Sequence, residues 1–400
     1  MSWEFKTVDE ITELVTKGTT PSTYGYDFIE EGINYIRAEG ISKDGYVDNS
    51  TFLKISQECH DKLNRSQLRA SDILFSIAGM ALGKTGIVKE DYLPANTNQA
   101  VAIIRPLQNL VHPKFLQYYF VNPEFYKFVN SVSAQSAQPN INLAQIKSLK
   151  INLPPLQTQK RIASILSAYD DLIENNLKRI KLLEETAQNI YKEWFVNFRF
   201  PNYENTPINQ ETGLPEGWEK VNLYDFAEVK MGFPFKAEDF NENSIGKPAI
   251  RIRDIPNNWT KTYTTQEVSE DYIVEQGDIL IGMDGFFYLE IWGGQKGYLV
   301  QRVCRLRSFQ KELQGFLIEA LKEPIKYYEK TISGATVAHL GAKHLKEIFI
   351  SVPKDDCTIK KLEVFNKIAN YKITLLNQNQ KLKEARDILL PRLMNRTIEV

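Results

Sequence analysis

The sequence predicts an α+β protein built from one unit written twice, each copy a mixed α/β domain followed by a long helix. Three observations predict it. Segments of the first half return in the second at a shift of about 200 residues. Two long stretches without internal glycine carry apolar residues at alternating four- and three-residue spacing. Each half also holds short β-like runs and one helical stretch ahead of its long helix.

The elements follow in order. Trp3-Glu4 returns as Trp218-Glu219, and GINYIRAEGI (32–41) as GKPAIRIRDI (246–255). LRASDILFSIAG (68–79) returns as VEQGDILIGMDG (274–285), and NQAVAIIRP (98–106) as VQRVCRLRS (300–308). IKSLKINLP (146–154) matches LKEIFISVP (345–353). The β-like runs are 34–38, 72–77 and 100–105, then 249–253, 278–282 and 299–306; the helical stretches are near 113–130 and 312–332. The expected boundaries are a first domain over 1–156, a helix over 157–198, a linker over 199–217, a second domain over 218–354 and a second helical region over 355–400. The linker is rich in Pro, Asn and Gly. Pro391 is expected to stop the second helix at Leu390.

In the first helix one seam is Leu166, Ile173, Ile180, Ala187 and Trp194, and the other Ile162, Tyr169, Asn176, Leu183 and Ile190. A shift of 202 reproduces both: Ile368, Leu375, Leu382 and Leu389, beside Val364, Tyr371, Gln378 and Ala385. The polar seam residue recurs too, Asn176 against Gln378. A buried amide there costs stability but sets register and orientation.

Composition narrows the function. The chain has 400 residues, 42% hydrophobic and 25% charged, the balance of an ordinary globular protein rather than a disordered chain. Its 49 basic and 50 acidic side chains leave a net charge of −1, which argues against a polybasic nucleic-acid tail but not against local basic patches. No apolar run suits a membrane span, and the N-terminus does not read as a signal peptide. Cys59, Cys304 and Cys357 lie far apart and are odd in number, so a reducing cytoplasm is expected, without disulfides or zinc.

Catalytic motifs are sought and mostly absent. GMALGKTG (79–86) encloses too few residues between Gly79 and Gly83 for a phosphate loop, and GGQKG (293–297) has no Ser or Thr after its lysine. NLPPL (152–156) departs from the Asn-Pro-Pro-aromatic loop of amino-methyltransferases. The triplets Glu4-Phe5-Lys6 and Glu228-Val229-Lys230 have no upstream Asp suited to a nuclease and read as surface. His339 and His344 are off the spacing that puts two ligands on one helix face, and a capping or surface role is expected. These absences point to a chain that does no covalent chemistry and needs no metal or cofactor.

The combination resembles the specificity subunit of type I restriction–modification systems. LPPLQTQKRIASIL (153–166) resembles that family's entry into its first conserved helical region, YKEWFVNFRFP (191–201) its exit, and TGLPEGWEKVNL (212–223) the start of the second recognition domain. The paired DIL runs resemble the repeated core of its target recognition domains. Two segments depart: SVPKDDCTIKKLEVF (351–365) lacks the Pro-Pro-Leu and glutamines of the first entry, and MDGFFYLEIWGGQKG (283–297) is wider than SIAGMALGKTG (76–86).

The resemblance implies two target recognition domains separated by two long antiparallel coiled-coil helices. Each domain would read one half of a bipartite, asymmetric target in double-stranded DNA, with an unread spacer. A helix of about 40 residues spans about 60 Å, enough to hold two readers one DNA turn apart. The helices would dock two modification subunits carrying S-adenosylmethionine, and restriction subunits would add ATP- and Mg-dependent translocation and cleavage. None of that chemistry is expected on this chain.

Base reading needs paired donors and acceptors, Arg for guanine and Asn or Gln for adenine; phosphate contacts need Lys, Arg, hydroxyls and N–H groups. The candidates are Arg37, Lys43, Ser76, Lys84, Asn96, Asn98 and Gln99 in domain one, and Arg251, Arg253, Lys296, Gln301 and Arg302 in domain two. The scaffold candidates are Ile162, Leu166, Tyr169, Ile173, Asn176, Ile180, Val364, Ile368, Tyr371, Leu375, Gln378 and Leu382. A coiled-coil adaptor without DNA, or part of a fused DNA-modifying enzyme, are the alternatives.

Overall fold

A computed structural model of the chain describes residues 3–79, 82–133, 140–332 and 338–400. The chain forms two compact units, one of Met1–Asp171 with Leu382–Val400, the other of Leu172–Lys381.

In the first unit, β1 (Glu4–Thr7), β2 (Thr12–Lys17), β3 (Ile33–Ile36), β4 (Leu53–Ile55) and the short helix α1 (Gln57–Lys62) come first. Then come β5 (Ile73–Ser76), β6 (Thr85–Ile87), β7 (Ala95–Thr97) and β8 (Val101–Pro106). The helices α2 (Pro113–Val121), α3 (Pro123–Ser133) and α4 (Leu143–Ser148) precede β9 (Lys150–Leu153). The sheets have orders β2-β8-β5-β6, β4-β3-β7 and β1-β9. All neighbours are antiparallel except β3 and β7, which run parallel. β5 is buried throughout because both its faces meet apolar layers. Ile73 and Phe75 join the core under α2, and Leu74 joins Ile36, Val101 and Ile103 on the other side.

The second unit repeats this plan. Its elements are β10 (Trp218–Asn222), α6 (Leu223–Phe226), β11 (Ala227–Met231), β12 (Phe240–Asn241), β13 (Lys247–Ile250), β14 (Tyr263–Thr264) and β15 (Ile273–Val274). After them come β16 (Ile279–Gly282), β17 (Leu289–Ile291), β18 (Gly297–Leu299), β19 (Val303–Ser308), α7 (Gln314–Thr331), α8 (Ala342–Lys346) and β20 (Phe349–Pro353). The orders β11-β19-β16-β17 and β10-β20 match those of the first unit, and β13 and β18 form its parallel pair. The run expected over 299–306 is two strands, because Val300–Arg302 turn with Arg302 at φ 71°.

Two prolines act differently. Pro123 splits the first helical stretch, since it drives Asn122 to ψ 127° and out of the helix. α7 runs through Pro324, with Leu317, Leu321 and Ile325 buried around it.

The long helix α5 spans Leu156–Tyr191, 36 residues and about 54 Å, and ends in a wide turn over Lys192–Val196. α9 (Asp356–Lys361), capped by Asp355, leads into α10 (Glu363–Met394). Pro391 does not stop α10. Burial of Leu390, Leu393 and Met394 in the first unit's core outweighs the backbone hydrogen bond lost at the ring. The helices run antiparallel within each unit. Ile162, Ala163 and Leu166 share a core with Leu390, Leu393 and Met394 in the first. In the second, Asn176 meets Asn379, Glu184 meets Lys372, and the Tyr191 ring meets Phe365.

The α5 seams are placed as expected: Ile162, Leu166, Ile173, Asn176 and Ile180 are buried and Tyr169 is half-buried. On α10 the inner face is turned by one residue, about 100°. Leu375 is buried, and Val364, Ile368 and Leu382 are half-buried, but Tyr371 is 39% exposed, and Gln378 is exposed while its Oε1 lies 3.5 Å from Asn176 Nδ2. Phe365, Asn379, Arg386 and Leu393 take the inner positions. Polar residues at 379 and 386 look like surface in sequence, yet they are partners of Asn176 and Asp170.

Candidate nucleic-acid interface

The parallel strand pairs position the candidates. β3 and β7 pair Ile36 with Thr97, so Arg37 and Asn98 leave the carboxyl ends of adjacent strands, followed by exposed Gln99. β13 and β18 pair Ile250 with Leu299, so Arg251 and Val300 occupy the same places, followed by exposed Gln301 and Arg302. Arg37 and Arg251 have nearly the same backbone, φ −109° and −111°. Each places Nε near a carboxylate without a hydrogen bond, at 4.0 Å from Glu39 and 3.8 Å from Asp254. Asn98 Oδ1 is likewise buried without a protein donor. These polar atoms are closed to solvent and have no hydrogen-bond partner in the protein.

Arg251 also donates through Nη2 to Thr262 Oγ1, while Arg253 is exposed. Burial, and then the charge of Arg253, pull the Arg251 guanidinium below its usual range.

The richest cluster surrounds Arg302. Its Nε lies 3.3 Å from Asp284 Oδ2, and Asp284 Oδ1 lies 2.6 Å from His339 Nδ1. All three are at least partly open to solvent. The left-handed backbone at Arg302 is unusual for a side-chain-bearing residue and aims this guanidinium. Backbone bonds identify its counterpart in domain one. Met283 N donates to Arg302 O as Ile77 N donates to Ala100 O, and Asp284 bridges His339 as Ala78 bridges Asn140. Both turns then pass through a left-handed glycine, Gly79 or Gly285. One scaffold therefore presents Ala78, Ala100 and Asn140 in one domain and Asp284, Arg302 and His339 in the other.

In domain one, Lys43 Nζ lies 4.8 Å from the Tyr126 ring centroid, and Gly83 lies against the same ring. Met80 and Ala81 of this glycine turn lie outside the described residues. Lys296 is not the counterpart of Lys84. Ser76 N bonds Lys84 O as Gly282 N bonds Tyr288 O, whereas Lys296 precedes β18 and pairs with Glu275 at 2.6 Å.

Two candidates are turned inward. Asn96 is fully buried, donating to Ser66 Oγ and Leu63 O and meeting His60. Ser76 is fully buried in β5, where both strand faces are covered. Neither side chain reaches a surface that DNA could touch. Sequence reasoning missed Asp284 and His339; the signal was their common distance from a solvent-exposed Arg, which only the fold creates.

Among the described residues, no group of three or more His, Cys, Asp or Glu side chains is arranged to hold a metal ion, and no helix is long and apolar enough to cross a membrane. Cys59 and Cys304 are buried free thiols, and Cys357 is an exposed one. His344 Nδ1 accepts from Gly341 N at the start of α8, the expected capping role. Glu228 is exposed, as expected, and also accepts from the fully buried Arg305 at 3.0 Å.

The comparisons agree with this duplicated plan. The profile of the type I restriction modification DNA specificity domain matches residues 1–185 and again 215–384. The type I restriction enzyme MjaIX specificity subunit of Methanocaldococcus jannaschii is 25% identical over 415 residues, spanning 98% of this chain and 92% of that protein. The EcoBI specificity subunit of Escherichia coli is 32% identical over 147 residues, 36% of this chain and 31% of its own length. The crystal structure of a type I restriction–modification S subunit from M. genitalium shares the fold with TM-score 0.57 at 17% identity, covering 98% of this chain and 96% of that one. With the profile matched twice over most of its length, the chain belongs to the family of type I restriction–modification specificity subunits.

Proposed function

We propose that this chain reads a bipartite, asymmetric sequence in double-stranded DNA, one half-site per domain. The carrying observation is the repeated strand-end geometry with different chemistry: Arg37, Asn98 and Gln99 in one copy, Arg251, Gln301 and Arg302 in the other. One backbone plan with two side-chain sets is what two different half-sites require.

The chain also scaffolds two modification subunits and the restriction subunits, in the cytoplasm. Leu172, Leu177 and Leu182 leave 51%, 51% and 61% of their surface open as separate apolar side chains around α5, available to partners on more than one side. S-adenosylmethionine, ATP and Mg belong to those partners, and this chain is non-catalytic. With a net charge of −1, it contributes selectivity while its partners share the phosphate contacts.

Co-expression with a modification subunit, followed by mapping of adenine methylation, tests the reading. A split asymmetric motif is expected, and exchange of residues 1–156 for those of a relative should change one half only. Change of both halves, or of neither, rejects it.

A further inference from the structure

The repeat lays α5 onto α10 at a shift of 202, which carries the seam residues Ile173, Ile180 and Ala187 onto Leu375, Leu382 and Leu389. Aliphatic seams of this kind do not distinguish α5 from α10, so either helix could pair with a copy of itself. Besides the buried Asn379, which falls on the exposed Leu177, two charged positions break the likeness. The same shift carries Asp170 onto Lys372 and Glu184 onto Arg386.

These four residues pair with one another. Asp170 Oδ1 lies 2.8 Å from Arg386 Nη1 within the first unit, and Glu184 Oε1 lies 2.5 Å from Lys372 Nζ within the second. Arg386 and Lys372 keep only 4% and 11% of their side-chain surface. Neighbours hold the charges in place: the Tyr46 and Tyr118 hydroxyls donate to Asp170, and Glu290 adds a second carboxylate 2.7 Å from Lys372. Burial opposes both cations, but Asp170 in one case and Glu290 with Glu184 in the other hold them above their usual ranges.

The two ion pairs are therefore copies in position but not in sign. Both acids lie on α5 and both bases on α10. Two α5 helices in the same antiparallel register would set Asp170 against Glu184 of the other chain, twice over. Two α10 helices would set Lys372 against Arg386 in the same way. Like charges without partners in a closed helix interface are strongly unfavourable. The first half of the chain leaves the ribosome before α10 exists, so self-pairing of α5 is the competing state.

We propose that Asp170–Arg386 and Glu184–Lys372 form a partner code by which α5 accepts α10 and refuses a second copy of α5.

The test uses the full chain with Cys357→Ser and a reporter, Asn176→Cys. Asn176 faces Asn379 and Gln378, the repeat copies of Leu177 and of Asn176 itself, so two paired α5 helices would bring the reporters together. Glu184→Lys, Lys372→Glu and Glu290→Lys together keep the native pair complementary while giving each helix one charge of each sign. Like helices then become complementary. The expected result is a rise in disulfide-linked dimer on the order of tenfold over the unexchanged chain, equivalent to about 1.4 kcal/mol. The same exchange at the other pair, Asp170→Lys with Arg386→Glu, Tyr46→Phe and Tyr118→Phe, should do likewise. Both exchanges combined should return the dimer to its starting level. Unchanged cross-linking in the single exchanges, persistent cross-linking in the combined one, or loss of folding in both single exchanges overturns the proposal.

Discussion

Arg105 donates twice to Asp72, from Nε and from Nη2, each at 2.8 Å, and so ties the first residue before β5 to the strand β8 beside it. Arg307 does the same for Asp278 before β16, at 2.5 and 2.8 Å. Each Asp also accepts a backbone N–H three residues upstream, from Arg69 or Glu275. The motif Asp-Ile-Leu is repeated in sequence because its aspartate anchors the same sheet corner in both domains.

Asp72 is 1% exposed, so a lost partner leaves a buried charge. Arg105→Leu is expected to destabilise domain one by about 3–5 kcal/mol. Arg105→Leu with Asp72→Leu should cost less, because no charge is stranded. Denaturant unfolding of the three proteins measures the order.

Arg302→Ala should relax the target at one base position in the half read by domain two, by about 1–3 kcal/mol of discrimination, and leave the other half intact. Asp284→Asn should weaken the same position less, since it loosens the guanidinium without removing it. Methylation frequency at single-base variants of the motif measures both.

Asn176 Nδ2 donates to Asn379 Oδ1 at 2.9 Å. Asn176→Leu strands Asn379 and should cost about 1–3 kcal/mol. Leu at both positions should recover most of that loss while weakening the register signal. Thermal unfolding and the distance between spin labels on the two helices report the two effects.

Burial, then the charges of Lys160 and Lys114, hold the His112 imidazole below its ordinary value. The folded protein thus binds this proton less readily than the unfolded chain. Its contribution is present above about pH 6.5, the unfolded value, and is lost as pH falls through the lower folded value. The fall in thermal midpoint between pH 7.5 and pH 5.5 should be smaller in His112→Gln.

Much of the fold was legible because its signals are local. Heptad spacing marked both long helices, and the DIL runs marked the central strands. The short strands β12, β14 and β15 were not legible, since two residues carry no period. Among the candidates, strand-end positions set Arg37, Arg251 and Arg302 apart. Composition alone could not separate them from Asn96, whose amide serves the buried bonds to Leu63 and Ser66.

The sequence by itself determined that there are two copies of one unit, each with a long seam-bearing helix, because repeats and periodicity are written in residue order. Only the tertiary structure decided that Asn379 joins Gln378 as a partner of Asn176 and is the nearer of the two, that α10 continues past Pro391, and that Asp284 and His339 gather at Arg302. Those outcomes depend on which side of a helix or strand is covered by residues distant in the chain. A one-residue turn of a helix changes that side, while the apolar pattern along the sequence barely changes.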